Sequence, residues 1–179
     1  LQLGGTTERL TDSTFRKYQK EGKLAIAYAI PEADVETAFR SPFVMIGSDA
    51  IMSGSRNHHP RASGTFARTL GVYVREKKIL PLIDAIAKMT LLPALRMELA
   101  SSAFKKKGRL AVGADADIVV FDDGKIADRA TVERPDLMSA GVEYVIINGH
   151  IVKDPNGLRR NVRAGRPLRN EHAKSRTVN

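Results

Sequence analysis

Leu24-Ala25-Ile26-Ala27-Tyr28-Ala29-Ile30 and Phe43-Val44-Met45-Ile46-Gly47-Ser48-Asp49 are the two stretches on which the reading of the fold turns. Each begins as an uninterrupted apolar run, the pattern of a strand covered on both faces rather than one. Between them, Pro31 suits the first turn of a helix, Glu32 and Asp34 complement its positive end, and Ser41-Pro42 stops it. Strand, helix, strand at this spacing predicts a parallel βαβ unit, and with it an α/β fold.

Upstream, Thr11 or Asp12 can cap a helix that carries Phe15 and Tyr18, and Gly22 suits its end. The opening Leu1-Gln2-Leu3-Gly4-Gly5 has neither a basic start nor a long apolar stretch, and reads as an internal cut rather than a signal peptide. Downstream, the polar residues around Asn57-His58-His59-Pro60-Arg61, with Ser63 and Gly64, predict a long loop. A helix follows, with Ile79, Leu82, Ile83, Ile86 and Met89 on one core-facing stripe. Pro93 predicts a break, with a short helical piece running on to about Leu99. Composition shifts at Lys105-Lys106-Lys107-Gly108. Beyond it Ile118-Val119-Val120-Phe121 and residues 142–152 read as strands, with Asn148-Gly149 marking a hairpin. The expected organisation is an α/β part over residues 1–104, a small β domain over 105–169 and an irregular basic tail over 170–179.

The 179 residues are 42% hydrophobic, enough for one or two modest cores. No run approaches the roughly 18 to 20 apolar residues a membrane helix requires. The chain has no cysteine, which excludes disulfides and thiolate chemistry within it and suits the cytoplasm. Net charge is +9, and from Lys153 onward eight Lys or Arg residues face only Asp154 and Glu171. Such a basic balance admits a nucleic-acid-binding module as an alternative from another functional class. A solvated tail is the favoured reading, because no aromatic residue after Tyr144 offers a stacking platform.

Among chemistry-bearing residues, Asp49 stands out because it follows an expected parallel strand at its carboxyl end, where α/β folds gather reacting groups. It either serves a metal ion or a proton there, or caps a turn. Arg61 offers a planar fork suited to a carboxylate. His58 and His59 read as loop residues shaping a pocket rim, ahead of a reading as metal ligands. Asp115 and Asp117 read as turn residues before a strand, the lysine run 105–107 as a solvated linker, and His150 as structural. No phosphate-binding glycine loop, serine-hydrolase elbow or helical metal motif occurs.

Four stretches then combine: Met45 to Asp49; His59-Pro60-Arg61 with Gly64-Thr65-Phe66-Ala67-Arg68 and Leu70-Gly71-Val72-Tyr73-Val74-Arg75-Glu76; Ala85 to Thr90 with Leu92-Pro93-Ala94; and Gly108 to Asp122. Together, from about Leu10 to Arg169, they resemble the D-aminoacylase and N-acyl-D-amino-acid deacylase branch of the amidohydrolase superfamily. The resemblance implies the C-terminal part of a (β/α)8 barrel, its last two strands and helices, plus part of a small β-sandwich domain. Leu24–Ile30 would be the seventh barrel strand and Phe43–Asp49 the eighth. It implies that Asp49 acts as base toward a metal-activated water, then passes the proton to the departing amine, and adds a weak metal contact. Arg61 is expected to hold the substrate carboxylate, with His59 beside it in the substrate pocket. Zinc is the implied cofactor and an N-acyl-D-amino acid the implied substrate. No histidine precedes His58, so the principal zinc ligands are expected upstream of this sequence. Ala50 departs from the glycine common after the aspartate in this branch. The chain alone is expected to be inactive, and to need the remaining barrel segment or to associate with itself. An amidohydrolase of other specificity, a cyclic amidase or a dipeptidase, is the nearer alternative.

Overall fold

The structure is a computed structural model that describes residues 1–51 and 56–171. The expected basic tail at 170–179 therefore lies, from residue 172 on, outside the described residues. The chain forms two compact units, Leu1–Leu82 with Asp122–Gly141, and Ile83–Phe121 with Val142 onward.

In the first unit, β1 (Gln2–Leu3) pairs antiparallel with β2 (Ala25–Ile26). Asn57 fastens this ladder: its Oδ1 accepts the Leu24 N–H at 2.6 Å, and its Nδ2 donates to the carbonyls of Gly4 and Leu24 at 3.0 Å each. Helix α1 (Asp12–Lys20) starts at a reciprocal cap, in which Thr11 Oγ1 accepts from the Thr14 N–H and Thr14 Oγ1 from the Thr11 N–H. Helix α2 (Glu32–Arg40) follows Pro31, as its pattern predicts.

The two long parallel strands are not formed. Only Ala25 and Ile26 of the first apolar run enter a ladder, and their partner is antiparallel. Among the described residues, Phe43–Asp49 makes no ladder. Tyr28 is 62%, Ile30 75% and Phe43 91% exposed, where burial on both faces was expected. The reason is that a strand exists only through its neighbours: each backbone N–H and C=O in a sheet needs a flanking partner, and β1 supplies two residues of it.

The core of this unit is a continuous helical rod, α3 (Arg61–Arg68) running into a wider π-helical turn over Thr69–Glu76. Ala67, Leu70 and Tyr73 are buried along it, and Phe39 of α2 stacks on Tyr73 with ring centroids 4.2 Å apart. Lys77 closes the same corner by pairing with Glu32 at 2.5 Å and Glu36 at 2.8 Å. Residues 122–141 wrap the rod. A Cβ on Gly71 would lie 2.7 Å from the Ile126 carbonyl oxygen, so only glycine allows that approach. Arg75 then donates to the carbonyls of Asp123 at 2.9 Å and Ile126 at 2.7 Å, satisfying backbone that the contact would otherwise strand.

In the second unit, α4 (Leu82–Met89) and α5 (Leu91–Met97) are separated at Thr90, whose backbone is non-helical, and Pro93 sits in the first turn of α5, where no N–H is missed. The predicted apolar stripe needs correction. Ala85 is fully buried and Lys88 nearly so, whereas Ile83 is 70% exposed, because a residue two positions before Ala85 falls on the other side of the helix. A four-stranded antiparallel sheet follows, β3 (Ile118–Phe121), β4 (Val142–Ile147), β5 (His150–Asp154) and β6 (Gly157–Leu158), in sequence order. The β4–β5 turn is Asn148-Gly149, both at positive φ, as the hairpin signal predicts. The lysine run is not a free linker. Lys107 pairs with Asp115 at 3.0 Å and Asp117 at 2.5 Å, and Asp117 Oδ1 accepts the Asn148 N–H at 2.8 Å, tying this run to the hairpin.

Candidate active site

The expected loop from Asn57 to Gly64 is shorter than its composition suggests. Pro60 starts a helix whose first residue is Arg61, so Arg61, Ser63 and Gly64 belong to α3. Proline at a helix start leaves no donor unsatisfied and presets φ. Ser63 locks the start of the rod in place, its hydroxyl donating to the Pro135 carbonyl at 3.0 Å while its own carbonyl accepts from Ser139 at 2.9 Å. Arg61 therefore projects from a rigid element.

Its guanidinium meets Asp49. Nη2 lies 2.5 Å from Asp49 Oδ2, and Nε donates to the Asp49 backbone carbonyl at 3.1 Å. Asp49 has φ 46°, in the left-handed region that aspartate tolerates better than most residues. That conformation brings carbonyl and carboxylate of one residue onto one guanidinium. The side chains are 75% exposed at Asp49 and 41% at Arg61. Solvent at this level limits such a pair to roughly 0 to 1 kcal/mol, so the contact is easily exchanged.

His59 completes the cluster. Its Nδ1 accepts the Arg61 backbone N–H at 3.0 Å, which leaves Nε2 to carry the proton of the neutral ring. Burial, and after it the Arg61 guanidinium, hold the His59 pKa below its ordinary value, against an opposing pull from Asp49. The structure thus brings Asp49, His59 and Arg61 together. It moves two neighbours elsewhere: Asn57 is consumed by the β1–β2 ladder, and His58 is buried at 3% exposure rather than placed at a rim.

Sequence reasoning named Asp49 and Arg61 separately and missed their contact; the opposite charges twelve positions apart were the available signal. Among the described residues, no three His, Cys, Asp or Glu side chains converge. With its carboxylate held by Arg61 and only His59 beside it, Asp49 belongs to no set of three or more donors among the described residues, so these side chains do not by themselves fit a metal ion. What the cluster can do is bind a carboxylate at Arg61 and move a proton at Asp49.

The family model described as "Amidohydrolase family" matches residues 18–153. Over 125 residues the chain is 48% identical to the N-acyl-D-glutamate deacylase of Alcaligenes xylosoxydans xylosoxydans, covering 70% of this chain and 24% of that protein. It is 42% identical, again over 125 residues, to the D-aminoacylase of the same organism, covering 70% of this chain and 25% of that one. A crystal structure of D-aminoacylase superposes with a TM-score of 0.66 at 37% identity, covering 73% of this chain and 26% of that chain. The N-acyl-D-glutamate deacylase of Bordetella bronchiseptica, complexed with zinc and a phosphonate that mimics the tetrahedral intermediate, does so at 0.64 and 41% identity, covering 74% and 27%. D-aminoacylase is described as having a binuclear metal centre. The chain spans about a quarter of the length of the relatives it matches. A family match across residues 18–153, joined to 48% identity and a shared fold, leads to one conclusion: the chain belongs to the amidohydrolase family.

Proposed function

We propose that this chain is the C-terminal part of a metal-dependent deacylase that cleaves the amide of an N-acyl-D-amino acid to a carboxylate and the free D-amino acid. In this reading Arg61 grips the substrate carboxylate through its planar fork, His59 lines the pocket beside it, and Asp49 takes a proton from the attacking water and returns it to the departing amine. Zinc, the metal named with the Bordetella bronchiseptica relative, would be held by donors beyond the described residues and would itself supply the Lewis acidity. Asp49 would add at most a weak contact to it. Residues 24–30 and 43–49 would then be the last two strands of a (β/α)8 barrel, and the antiparallel sheet part of a small β-sandwich domain. The cysteine-free composition suits a cytoplasmic setting.

The observation that carries this reading is the carboxylate of Asp49 lying directly against Arg61, in a chain 48% identical to an N-acyl-D-glutamate deacylase. The exposed apolar residues Tyr28, Ile30 and Phe43 favour a partner segment, the remaining barrel or a second copy.

A chimera tests it. The part of the N-acyl-D-glutamate deacylase that precedes the matched region is fused to this chain and assayed with N-acyl-D-amino acids, with and without chelator. Chelator-sensitive hydrolysis is expected from the chimera and none from this chain alone. Asp49→Asn is expected to lower kcat by roughly 10² to 10⁴, and Arg61→Gln chiefly to raise KM. Turnover by the isolated chain, or an Asp49→Asn chimera of full activity, refutes the proposal. Preferential cleavage of cyclic amides or dipeptides would transfer it to the nearer alternative.

A further inference from the structure

Arg61 engages Asp49 through Nε and Nη2, the two donors along one edge of the guanidinium. That edge is one on which a planar fork takes up a carboxylate with two parallel bonds. A substrate carboxylate at that edge and Asp49 at that edge exclude one another. The backbone of Arg61 is fixed by the helix start and by His59 Nδ1, so the exchange takes place in side chains and needs no movement of α3.

From this we propose that Arg61 is a coupling residue: it holds Asp49 in a salt bridge at rest, and the arriving substrate carboxylate displaces Asp49, releasing it for proton transfer. The inference rests on the carboxylate-binding reading of Arg61 above, and adds that binding and activation are one event. Its consequence is specificity. An amide without a carboxylate leaves Asp49 neutralised by Arg61, and is discriminated against in kcat as well as in KM. The exposure of both partners keeps the resting bridge weak enough for a ligand to break.

The test uses the full 179-residue chain, isotopically labelled, with N-acetyl-D-alanine and the carboxylate-free N-ethylacetamide as probes followed by NMR. N-Acetyl-D-alanine is expected to shift both the side-chain carboxylate carbon and the backbone carbonyl carbon of Asp49 as the two Arg61 contacts dissolve; N-ethylacetamide is expected to shift neither. Asp49→Asn removes the competing charge while leaving the backbone carbonyl contact, and is expected to tighten N-acetyl-D-alanine binding roughly two- to fivefold, the range a surface salt bridge allows. Arg61→Gln is expected to abolish binding, and Arg61→Lys to retain part of it. If Arg61→Gln weakens binding while the Asp49 carbonyl carbon stays unmoved in the wild type, the coupling is wrong and the carboxylate-binding reading stands. If Arg61→Gln binds as well as wild type, or no variant binds, both fail.

Discussion

At Asn57 one side chain stands in for a strand. It takes the Leu24 N–H and gives to the carbonyls of Gly4 and Leu24, three bonds that a longer β partner would otherwise supply. Replacing Asn57 with Ala leaves the Leu24 N–H and the Gly4 carbonyl to water, while the Leu24 carbonyl keeps the Gly4 N–H at 3.1 Å, and should cost roughly 1 to 3 kcal/mol. Urea denaturation followed by circular dichroism measures it, and Asn57→Asp, which keeps Oδ1 but loses both donors, should fall between. An unchanged midpoint for Asn57→Ala would remove its structural role. The same residue shows how far local reading reaches. Asn57, His58, His59 and Arg61 look alike as a polar run, and nothing in their order separates the ladder clasp from the buried ring or the guanidinium that closes on Asp49. Asp49 and Arg61 were legible because each is chemically apt alone; their union depends on Asp49 adopting φ 46° and on a helix beginning at Arg61.

Elements held by glycine or by an ion pair carry the next predictions. Gly71 passes so near Ile126 that Ala there must push the rod away from residues 122–141, at roughly 1 to 3 kcal/mol and with a lower melting temperature. A melting temperature equal to wild type would mean that this packing yields freely. In the sheet unit, Lys107 first, and the Asn148 N–H after it, hold the Asp117 pKa below its ordinary 3.8. The folded state thus favours the ionised form. Its stabilisation is complete above the unfolded value near 3.8 and is lost as pH falls through the lower folded value. Lys107→Met should therefore be less stable than wild type at neutral pH, by up to about 1 kcal/mol given the exposure of the pair. The gap should close at the acid end, and a gap that persists there would assign it to packing instead. The ends of α1 and the Asn148-Gly149 turn followed their sequence signals closely, since caps and two-residue turns are satisfied within a few residues. The apolar runs at 24–30 and 43–49 did not, since an apolar run says what would be buried and not what is available to bury it.

On the scale of the molecule, the first unit presents Tyr28, Ile30, Phe43 and Ile51 at exposures of 62% or more. Apolar surface of this kind seeks cover, and the chain is expected to elute from gel filtration at a volume that shifts with concentration. Ile30→Ser with Phe43→Ser should move it toward the monomer volume. A wild-type chain that elutes as a monomer at every concentration sinks the prediction. Nucleic-acid binding that weakens steeply with salt would favour the basic-module alternative, and little of it is expected.

Family, the α1 cap and the Asn148-Gly149 turn were determined by the sequence by itself, because each rests on contacts between near neighbours in the chain or on motifs that can be read residue by residue. Tertiary structure alone decided that residues 43–49 form no ladder, that Asn57 clasps β1 to β2, that Lys107 is anchored to the hairpin, and that Arg61 closes on Asp49. Strand pairing and ion pairing join groups remote in sequence, and whether such groups meet is settled by where the intervening backbone turns, a quantity that no local pattern contains.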